Sequence, residues 1–286
     1  MSQVATDEFK GILGKPDAIL PADLTKYPTL NAAIKPLPDK LRVMIYRFPY
    51  GGFEHSCVTT WVPNALFTLQ AHPRVEACGT HAIDMYPTYV ARNKAVRHAL
   101  DNGVDFMIMV DSDMFPDAYI GVPGWESVQP FLPAALDFAI QNGPCCVGVP
   151  YCTQPPEEDV LVMRWRQRES NDPDGHIKLC KFTREESIGR TGIERVGAIA
   201  TGLQLIDTRP LRIMQPPWFH YEHNEDWTAL TATEDVVFSH DLDLAGVPQF
   251  VFWDAWAVHW KLKPVGRPTG LPYNSCLLYT SDAADE

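Results

Sequence analysis

The sequence lacks the features of a membrane protein, of a secretory precursor and of a strongly basic nucleic-acid binder. No apolar run reaches the roughly 18 residues that a membrane-spanning helix needs, and the start, MSQVATDEFKG, has no basic segment followed by an apolar one. Lys and Arg number 24 against 36 Asp and Glu, a formal net charge of -12. This acidity disfavours a nucleic-acid groove as the main binding surface, although a local basic patch is compatible with it. We expect a soluble protein without a transmembrane segment, in the cytoplasm or, if the gene is viral, in the host cytoplasm.

Cysteine is sparse and has no metal-site spacing. The seven cysteines include no Cys-x-x-Cys pair, and Cys145 and Cys146 stand side by side in the apolar segment GPCCVGVP. This context predicts reduced, buried thiols rather than a disulfide or a metal site. With 45% apolar residues in a chain of 286, a core can form as one large domain or two small ones.

The two ends of the chain differ from its middle. Residues 1–38 carry several prolines and no long periodic segment, which predicts an extended N-terminal arm. Residues 276–286, CLLYTSDAADE, resemble one reading frame of a transposon-end sequencing adaptor. We therefore expect a metagenomic gene, viral or bacterial, whose natural C-terminus is missing; a genuine disordered tail is the alternative. The folded domain would span residues 39–270.

The first part of the chain alternates between strand-like and helix-like segments. The predicted elements are strand Leu41–Arg47, helix Thr59–Gln70, strand Arg74–Thr80, helix Pro87–Leu100 and strand Asp105–Val110. In the second helix Ala91, Ala95 and Ala99 recur at the spacing of one buried face, and Asn102-Gly103 ends it. The alternation predicts an α/β fold with right-handed β-α-β units, that is, a mostly parallel central sheet flanked by helices.

The second half continues the same sheet with one excursion. The expected elements are helix Phe131–Gln141, strand Pro144–Val149, a strand after Thr201-Gly202, helix Thr233–Ala245 and strand Phe250–Trp256. Between residues 155 and 186, charged residues surround the turn Asn171–Gly175. This pattern predicts a small β-hairpin excursion rather than a separate domain.

The strongest chemical signal is the stretch Asp105–Pro116, DFMIMVDSDMFP. Its apolar run predicts a strand buried on both faces, and it ends in Asp111-Ser112-Asp113. Ligands of open α/β sheets bind beyond the carboxyl ends of the strands. Two carboxylates at such an end suit a hard divalent cation, which can in turn hold a phosphate. A solvated loop, or an aspartate that caps the next helix, is the alternative.

Three further features follow this acid pair along the chain. Gly202 makes a small-residue break before a strand, where backbone can approach a ligand closely. Glu234 and Asp235 open a helix whose expected N-cap is Thr233, so they either favour the helix N-terminus or face a ligand. His259 follows the last strand. Each feature alone has an ordinary structural explanation.

The ordered set resembles the GT-A glycosyltransferases, in particular glycosyltransferase family 2, over about residues 40–262. The residues that carry the resemblance are Arg92-Asn93 on the helix before the acid pair, Asp111-x-Asp113, Gly202, Glu234-Asp235 and His259. The resemblance implies a GT-A fold, Rossmann-like in its sheet. It also implies a nucleotide-diphosphate sugar donor, with a UDP-sugar favoured, and Mn²⁺ or Mg²⁺ as cofactor.

The resemblance assigns roles at the metal and at the reacting centre. Asp113 and His259 would ligate the metal, and Asp111 would contact the donor ribose or the metal and its water shell. Asp235 resembles the catalytic base of inverting members, which takes the acceptor proton, and Glu234 is the substitute if the register differs by one. A retaining enzyme would not need this base, so the stereochemistry stays open.

Substrate contacts are predicted at two further places. Gly202, with Thr201, would pass close to the donor sugar, while Tyr50, Asp84 and Arg92 are candidates for contacts with the nucleotide. An aromatic loop is the candidate acceptor platform, because aromatic faces stack on sugar rings or bases; the alternative is that the loop packs its own aromatic rings over the sheet. Its members are Trp218, Phe219, His220, Tyr221 and Trp227.

The acceptor and two competing functions stay open at this point. A glycan, a lipid, a protein or a hydroxymethylated base of viral DNA could be the acceptor, and Arg164, Arg166 and Arg168 are the basic patch available for DNA. A nucleotidyltransferase would also use an Asp-x-Asp site, but the turn Phe48–Gly52 has no lysine for a phosphate loop. A non-enzymatic alternative is a carbohydrate-binding module that has the same fold but no catalytic activity.

Overall fold

The structure, a computed structural model, describes residues 34–123, 128–153, 159–166 and 178–260. Most of the predicted arm, the 276–286 tail, the turn Asn171–Gly175 and Arg168 lie outside these residues. Within the described part, no helix is long and apolar enough to cross a membrane.

The described residues form fourteen strands and six helices. The strands are Leu41–Phe48 (β1), Val75–Ala82 (β2), Phe106–Asp111 (β3), Met114–Phe115 (β4), Cys146–Gly148 (β5), Val162–Arg166 (β6), Lys178–Lys181 (β7), Ile193–Val196 (β8), Ala198–Ile199 (β9), Leu203–Asp207 (β10), Glu222–His223 (β11), Leu230–Ala232 (β12), Gln249–Phe252 (β13) and Val258–His259 (β14). The helices are Ser56–Ala71 (α1), Thr88–Asp101 (α2), Phe131–Asn142 (α3), Arg184–Ser187 (α4), Thr208–Leu211 (α5) and Glu234–Leu244 (α6).

Seven strands form one mixed sheet in the order β2-β1-β3-β10-β5-β13-β8. Strands β1, β2 and β3 pair in parallel, and β5 and β13 run in the same direction. Strand β10 is antiparallel to both of its neighbours, and β8 is antiparallel to β13. The predicted α/β fold with a mostly parallel sheet is therefore confirmed, with two reversed strands that the alternation of elements did not indicate.

Helices cover both faces of this sheet. Residues of α1 and α3 pack in one hydrophobic cluster, and residues of α2, α5 and α6 pack in a second one. The side chains of β3 alternate between these clusters, with Ile108 in the first and Met107 and Met109 in the second. Phe106 to Val110 are all fully buried, so the predicted strand with two buried faces is confirmed. The alternation follows from the two-residue period of a strand.

The predicted excursion is present and gains a strand. Strands β6 and β7 pair antiparallel, and β9 adds to β6 on its other side. Arg164 makes an ion pair with Glu186, and its guanidinium carbon lies 5.0 Å from the Phe182 ring centre. The guanidinium of Arg164 is therefore already paired with a carboxylate and packed on an aromatic ring of the same segment, which weakens the case for a DNA-binding patch there.

The six cysteines in the described part of the chain are free thiols, as predicted. Cys145 and Cys146 are fully buried. Burial raises the pKa of Cys145 to about 12, with Asp207 adding to the effect, so this thiol stays protonated and serves packing.

Candidate active site

Strand pairing brings His259 to Asp113. Strand β14 lies antiparallel to β4, with His259 opposite Met114, and the Trp260 N–H donates to the Asp113 carbonyl at 2.7 Å. As a result His259 Nε2 lies 3.0 Å from Asp113 Oδ2. The two residues are 146 positions apart in the chain, so this contact belongs to the tertiary structure.

The Asp113–His259 pair fits a divalent cation as two of its ligands. Two neighbouring ligands of an octahedral ion, each about 2.1 Å from it, lie about 3 Å apart, which is the separation seen here. One carboxylate and one imidazole also form a donor set that Mn²⁺ accepts. Among the described residues, no group of three or more His, Cys, Asp and Glu is placed to hold a metal. A metal ion held by this pair would need its other ligands from the substrate, from water or from residues outside the described ones.

Arg92 holds the first aspartate of the pair. This arginine is 5% exposed, and its Nη2 donates to both carboxylate oxygens of Asp111, at 3.1 and 2.9 Å. Its Nη1 donates to the carboxylate of Glu234 on α6. Two carboxylates therefore already share the charge of Arg92, and its contact with the nucleotide stays a prediction.

Burial and charge compete in this ion-pair triad. Burial lowers the pKa of Arg92, but Asp111, Glu234 and Asp235 outweigh it and raise that pKa overall. Burial raises the pKa of Asp111 and of Glu234, and Arg92 offsets only part of the rise in each. The pKa values of the two acids in this triad would therefore be higher still without the positive charge of the arginine.

The two acids at the start of α6 have different environments. Glu234 is 8% exposed and bonded to Arg92, whereas Asp235 is half-buried. The Thr233 hydroxyl donates to Asp235 Oδ1 at 2.5 Å. Thr233 is the N-cap residue of α6, as predicted, although its side chain makes no hydrogen bond to the helix backbone. Of the two acids, Asp235 is the more exposed, and its Oδ1 also accepts from the Val236 N–H at 2.9 Å.

Gly202 is required by close packing rather than by its backbone angles. Its N–H donates to the Tyr151 hydroxyl at 3.0 Å, and its carbonyl accepts from the Asp111 N–H at 2.9 Å. A Cβ at this position would lie 2.5 Å from the Tyr151 oxygen, which no side chain tolerates. Beside it, the Thr201 hydroxyl is buried and has no hydrogen-bond partner among the described residues. The predicted glycine loop therefore lies against the acid pair.

Tyr151 is a site residue that sequence reasoning missed. Its ring meets the ring of His259 edge-on, with centres 5.3 Å apart. Burial, and then the charges of Asp111 and Asp235, raise its pKa well above the ordinary value, so it stays a neutral hydroxyl. No local pattern marks Tyr151, because its role comes from contacts with residues far away in the chain.

His55 is a second missed residue, and it links α1 to the end of β14. Its ring stacks on Trp260 with centres 5.0 Å apart and planes 12° apart. The backbone N–H of His55 donates to the carbonyl oxygen of Ser112 at 2.8 Å. The stack therefore fixes the residue that follows His259 against the loop between the two aspartates.

Asp84 and Tyr50 form a corner where β1 and β2 end. Asp84 accepts from the N–H groups of Gly51 and Gly52 at 3.1 and 2.6 Å, and both glycines have positive φ, as the predicted tight turn requires. Tyr50 is exposed and meets Tyr86 edge-on. Asp84 therefore holds the turn, and nucleotide contacts by Tyr50 and Asp84 stay predictions.

The aromatic loop divides into a buried part and an exposed part. Trp218 is 3% exposed, with Arg97 5.3 Å from its ring centre, and Phe219 stacks on Phe238. Asn93 Oδ1 accepts hydrogen bonds from the Trp218 and Phe219 backbone N–H groups. The prediction that Trp218 and Phe219 form an acceptor platform is wrong, since both rings belong to the core. Trp227 is 76% exposed and stays available.

A separate cavity of about 460 Å³ lies between α1 and α3 and is lined in part by Trp61, Phe115 and Leu132. None of the site residues predicted from the sequence lines it. The carboxylate of Asp117 at its wall accepts from Trp61 Nε1 at 2.8 Å and from the Phe131 N–H at 2.9 Å. That carboxylate therefore ties α1 to α3.

No protein-family model and no curated protein matches the sequence. Three solved structures are similar in fold. A197 from STIV has 16% identity and a TM-score of 0.45, covering 77% of this chain and 86% of that one. GalNAc-T7, crystallised with UDP, GalNAc and Mn²⁺, has 10% identity and a TM-score of 0.40, covering 78% of this chain and 44% of that one. Apo UDP-glucose pyrophosphorylase has 6% identity and a TM-score of 0.35, covering 73% and 72%. At these values the similarities assign no activity to this chain.

Proposed function

We propose that this protein is a GT-A-type glycosyltransferase that moves a sugar from a nucleotide-diphosphate sugar to an acceptor hydroxyl. A UDP-sugar is the favoured donor. The observation that supports this most is the contact of Asp113 with His259 beside the triad that joins Asp111 to the start of α6 through Arg92. All these groups lie at the carboxyl end of β3, where open α/β sheets bind ligands.

Asp113 and His259 are the residues that would hold Mn²⁺ or Mg²⁺. When bound, such an ion stabilises the negative charge that grows on the departing nucleoside diphosphate. Arg92 offsets part of the rise that burial causes in the pKa of Asp111, and its two hydrogen bonds fix the orientation of that carboxylate. Asp111 is then held in place to accept hydrogen bonds from the donor ribose or from water around the ion.

Asp235 is the proposed general base. Its half-buried carboxylate is bonded to Thr233 and is close enough to Arg92 and Tyr151 to affect the pKa of each. A carboxylate in this place can accept the proton of an acceptor hydroxyl as that oxygen attacks the sugar, which corresponds to inversion at the anomeric carbon. Glu234 is bonded to Arg92 and serves to position α6. Gly202 lets its backbone pack against Tyr151 and bond to Asp111, and a backbone contact of this segment with the donor sugar is part of the proposal.

Donor binding tests the proposal directly. Thermal unfolding is measured with UDP-, GDP- and dTDP-sugars, each with and without Mn²⁺, on the wild type and on Asp113→Ala. A ligand at 100 times its Kd stabilises the folded state by about 2.7 kcal/mol, and at about 2–4 °C per kcal/mol for a domain of this size this raises the Tm by about 5–10 °C. We expect such a shift for one nucleotide, dependent on Mn²⁺ and lost in the variant. No shift with any donor would contradict the proposal.

A further inference from the structure

The hairpin of β11 and β12, residues 222–232, carries an exposed indole and ends just before the helix of the candidate base. Trp227, at its tip, is 76% exposed and Leu230 is 50% exposed. One face of the indole lies on the His223 ring, with centres 4.7 Å apart and planes 19° apart. With that face covered and most of the side chain still open, the opposite face of the ring points to solvent.

The tip is held in one conformation although its backbone is strained. Trp227 has φ of 60°, a region that non-glycine residues occupy only at a cost in free energy. Its N–H donates to the Asn224 carbonyl at 3.0 Å, and Asn224 Oδ1 accepts from the Ala229 N–H at 2.9 Å. The Thr228 hydroxyl donates to Asp226 at 2.6 Å. Stability alone would favour glycine at position 227, so an exposed tryptophan there points to binding.

The hairpin is fixed on the same side of the sheet as the base. Its second strand ends at Ala232, and Glu234 begins α6 two residues later. Before the hairpin, Tyr221 meets Tyr89 of α2 with ring centres 5.3 Å apart. Helix α2 also carries Arg92, which is bonded to Glu234. Both ends of the hairpin are therefore attached close to the helices that carry Arg92 and Asp235.

The charges around the indole select among acceptor chemistries. Glu222, Glu225 and Asp226 are exposed on the same hairpin, and hydrogen bonds from Thr228 lower the pKa of Asp226, so that carboxylate stays ionised. Carboxylates repel the phosphates of DNA and of anionic lipids. An open aromatic face surrounded by acids suits the C–H face of a neutral sugar ring.

We propose that Trp227, stacked on His223, is the binding platform for a neutral glycan acceptor, rather than for a DNA base or an anionic lipid. The role as an acceptor site rests on the proposed glycosyltransferase function. The platform itself rests on the exposed indole, its fixed tip and its acidic surroundings.

The test measures binding of defined probes by ligand-observed NMR and calorimetry. The probes are maltohexaose, cellohexaose, chitohexaose and a DNA duplex that carries 5-hydroxymethylcytosine. We expect at least one hexasaccharide to bind more tightly than the duplex. Trp227→Ala should weaken that binding about tenfold, whereas Trp227→Phe, which keeps an aromatic face, should weaken it less. Phe67→Ala is the matched control, since Phe67 is 74% exposed on α1, and it should change nothing.

The outcomes separate this proposal from the proposed function. Failure of all three hexasaccharides to bind, tighter binding of the duplex, or affinity unchanged in Trp227→Ala would overturn the platform. In parallel, each variant is tested for its thermal shift with a nucleotide-sugar and Mn²⁺, which Trp227→Ala should retain. If the wild type binds a glycan but shows no thermal shift with a nucleotide-sugar and Mn²⁺, the glycosyltransferase function is contradicted while the carbohydrate-binding surface stands.

Discussion

Arg92 connects Asp111 to Glu234, so one buried guanidinium joins the central strand to the helix that carries the candidate base. Its Nη2 lies 2.9 Å from Asp111 Oδ2, and its Nη1 donates to Glu234. Removing one partner of a buried ion pair costs about 3–5 kcal/mol, because the other charge is left uncompensated. The position of α6, and of Asp235 within it, depends on this residue.

Arg92→Met should destabilise the protein by about 3–5 kcal/mol at neutral pH, measured by urea unfolding. The variant Arg92→Met with Glu234→Gln should recover part of this loss, because one of the two uncompensated charges is gone. Arg97→Met is the control, because Arg97 is an exposed arginine on the same helix, and it should cost much less stability than Arg92→Met. A loss below about 1 kcal/mol, the range of surface pairs, would show that the triad is not a buried unit.

Gly202→Ala should destabilise the protein by about 1–3 kcal/mol, the usual cost of overpacking. The added Cβ would lie 2.5 Å from the Tyr151 oxygen and 2.8 Å from Cζ, and the tyrosine is buried and cannot move away freely. Gly79→Ala is the matched control. Its Cβ would meet only the flexible side chain of Met44 at 3.3 Å, so its cost should be well below that of Gly202→Ala. Equal costs for the two variants would contradict the close-packing argument.

His259→Ala should weaken Mn²⁺ binding by more than about tenfold, since changes to groups outside the ligand set alone cost about 10–100-fold. The measurement is calorimetric titration with Mn²⁺ in the presence of UDP. His72 provides the control, because its Nε2 lies 3.0 Å from Asp137 Oδ1, the same contact without a second aspartate nearby. His72→Ala should leave Mn²⁺ affinity unchanged, and an equal effect of both variants would argue against a metal site at His259.

Glu186 should make stability depend on pH in the acid range. Thr183 and Glu186 form a capping box, in which each side chain accepts from the backbone N–H of the other residue. Burial raises the pKa of Glu186, but these bonds and the ion pair with Arg164 lower it more, so the folded value lies below the ordinary one. The stabilisation is therefore present above the unfolded pKa of about 4.3 and is lost as the pH falls through the folded pKa.

Comparison with Glu186→Gln measures this effect. Urea unfolding at a series of pH values should show the wild type more stable by about 1 kcal/mol near neutral pH, with the difference shrinking below about pH 4. Glu185→Gln, a change at an exposed neighbour in the same short helix, should show a smaller difference. A difference that grew as the pH fell would have the wrong sign for a lowered folded pKa.

The sequence by itself determined the local elements and the order of the chemical groups. The spacing of Ala91, Ala95 and Ala99 defined the buried face of α2, and the apolar run into Asp111 defined a strand with two buried faces, because side-chain periodicity follows directly from backbone geometry. The turn at Gly51-Gly52 was also predictable, since positive φ favours glycine.

Only the tertiary structure decided which of these groups meet. The pairing of β14 with β4 brings His259 into contact with Asp113. Arg92 forms ion pairs with two carboxylates. Trp218 is buried in the core, whereas Trp227 is exposed. The tertiary structure also brought in Tyr151 and His55, which no local pattern marks. The physical reason is that a contact between residues distant in the chain depends on strand register and packing, whereas sequence patterns report the conformation of each segment separately.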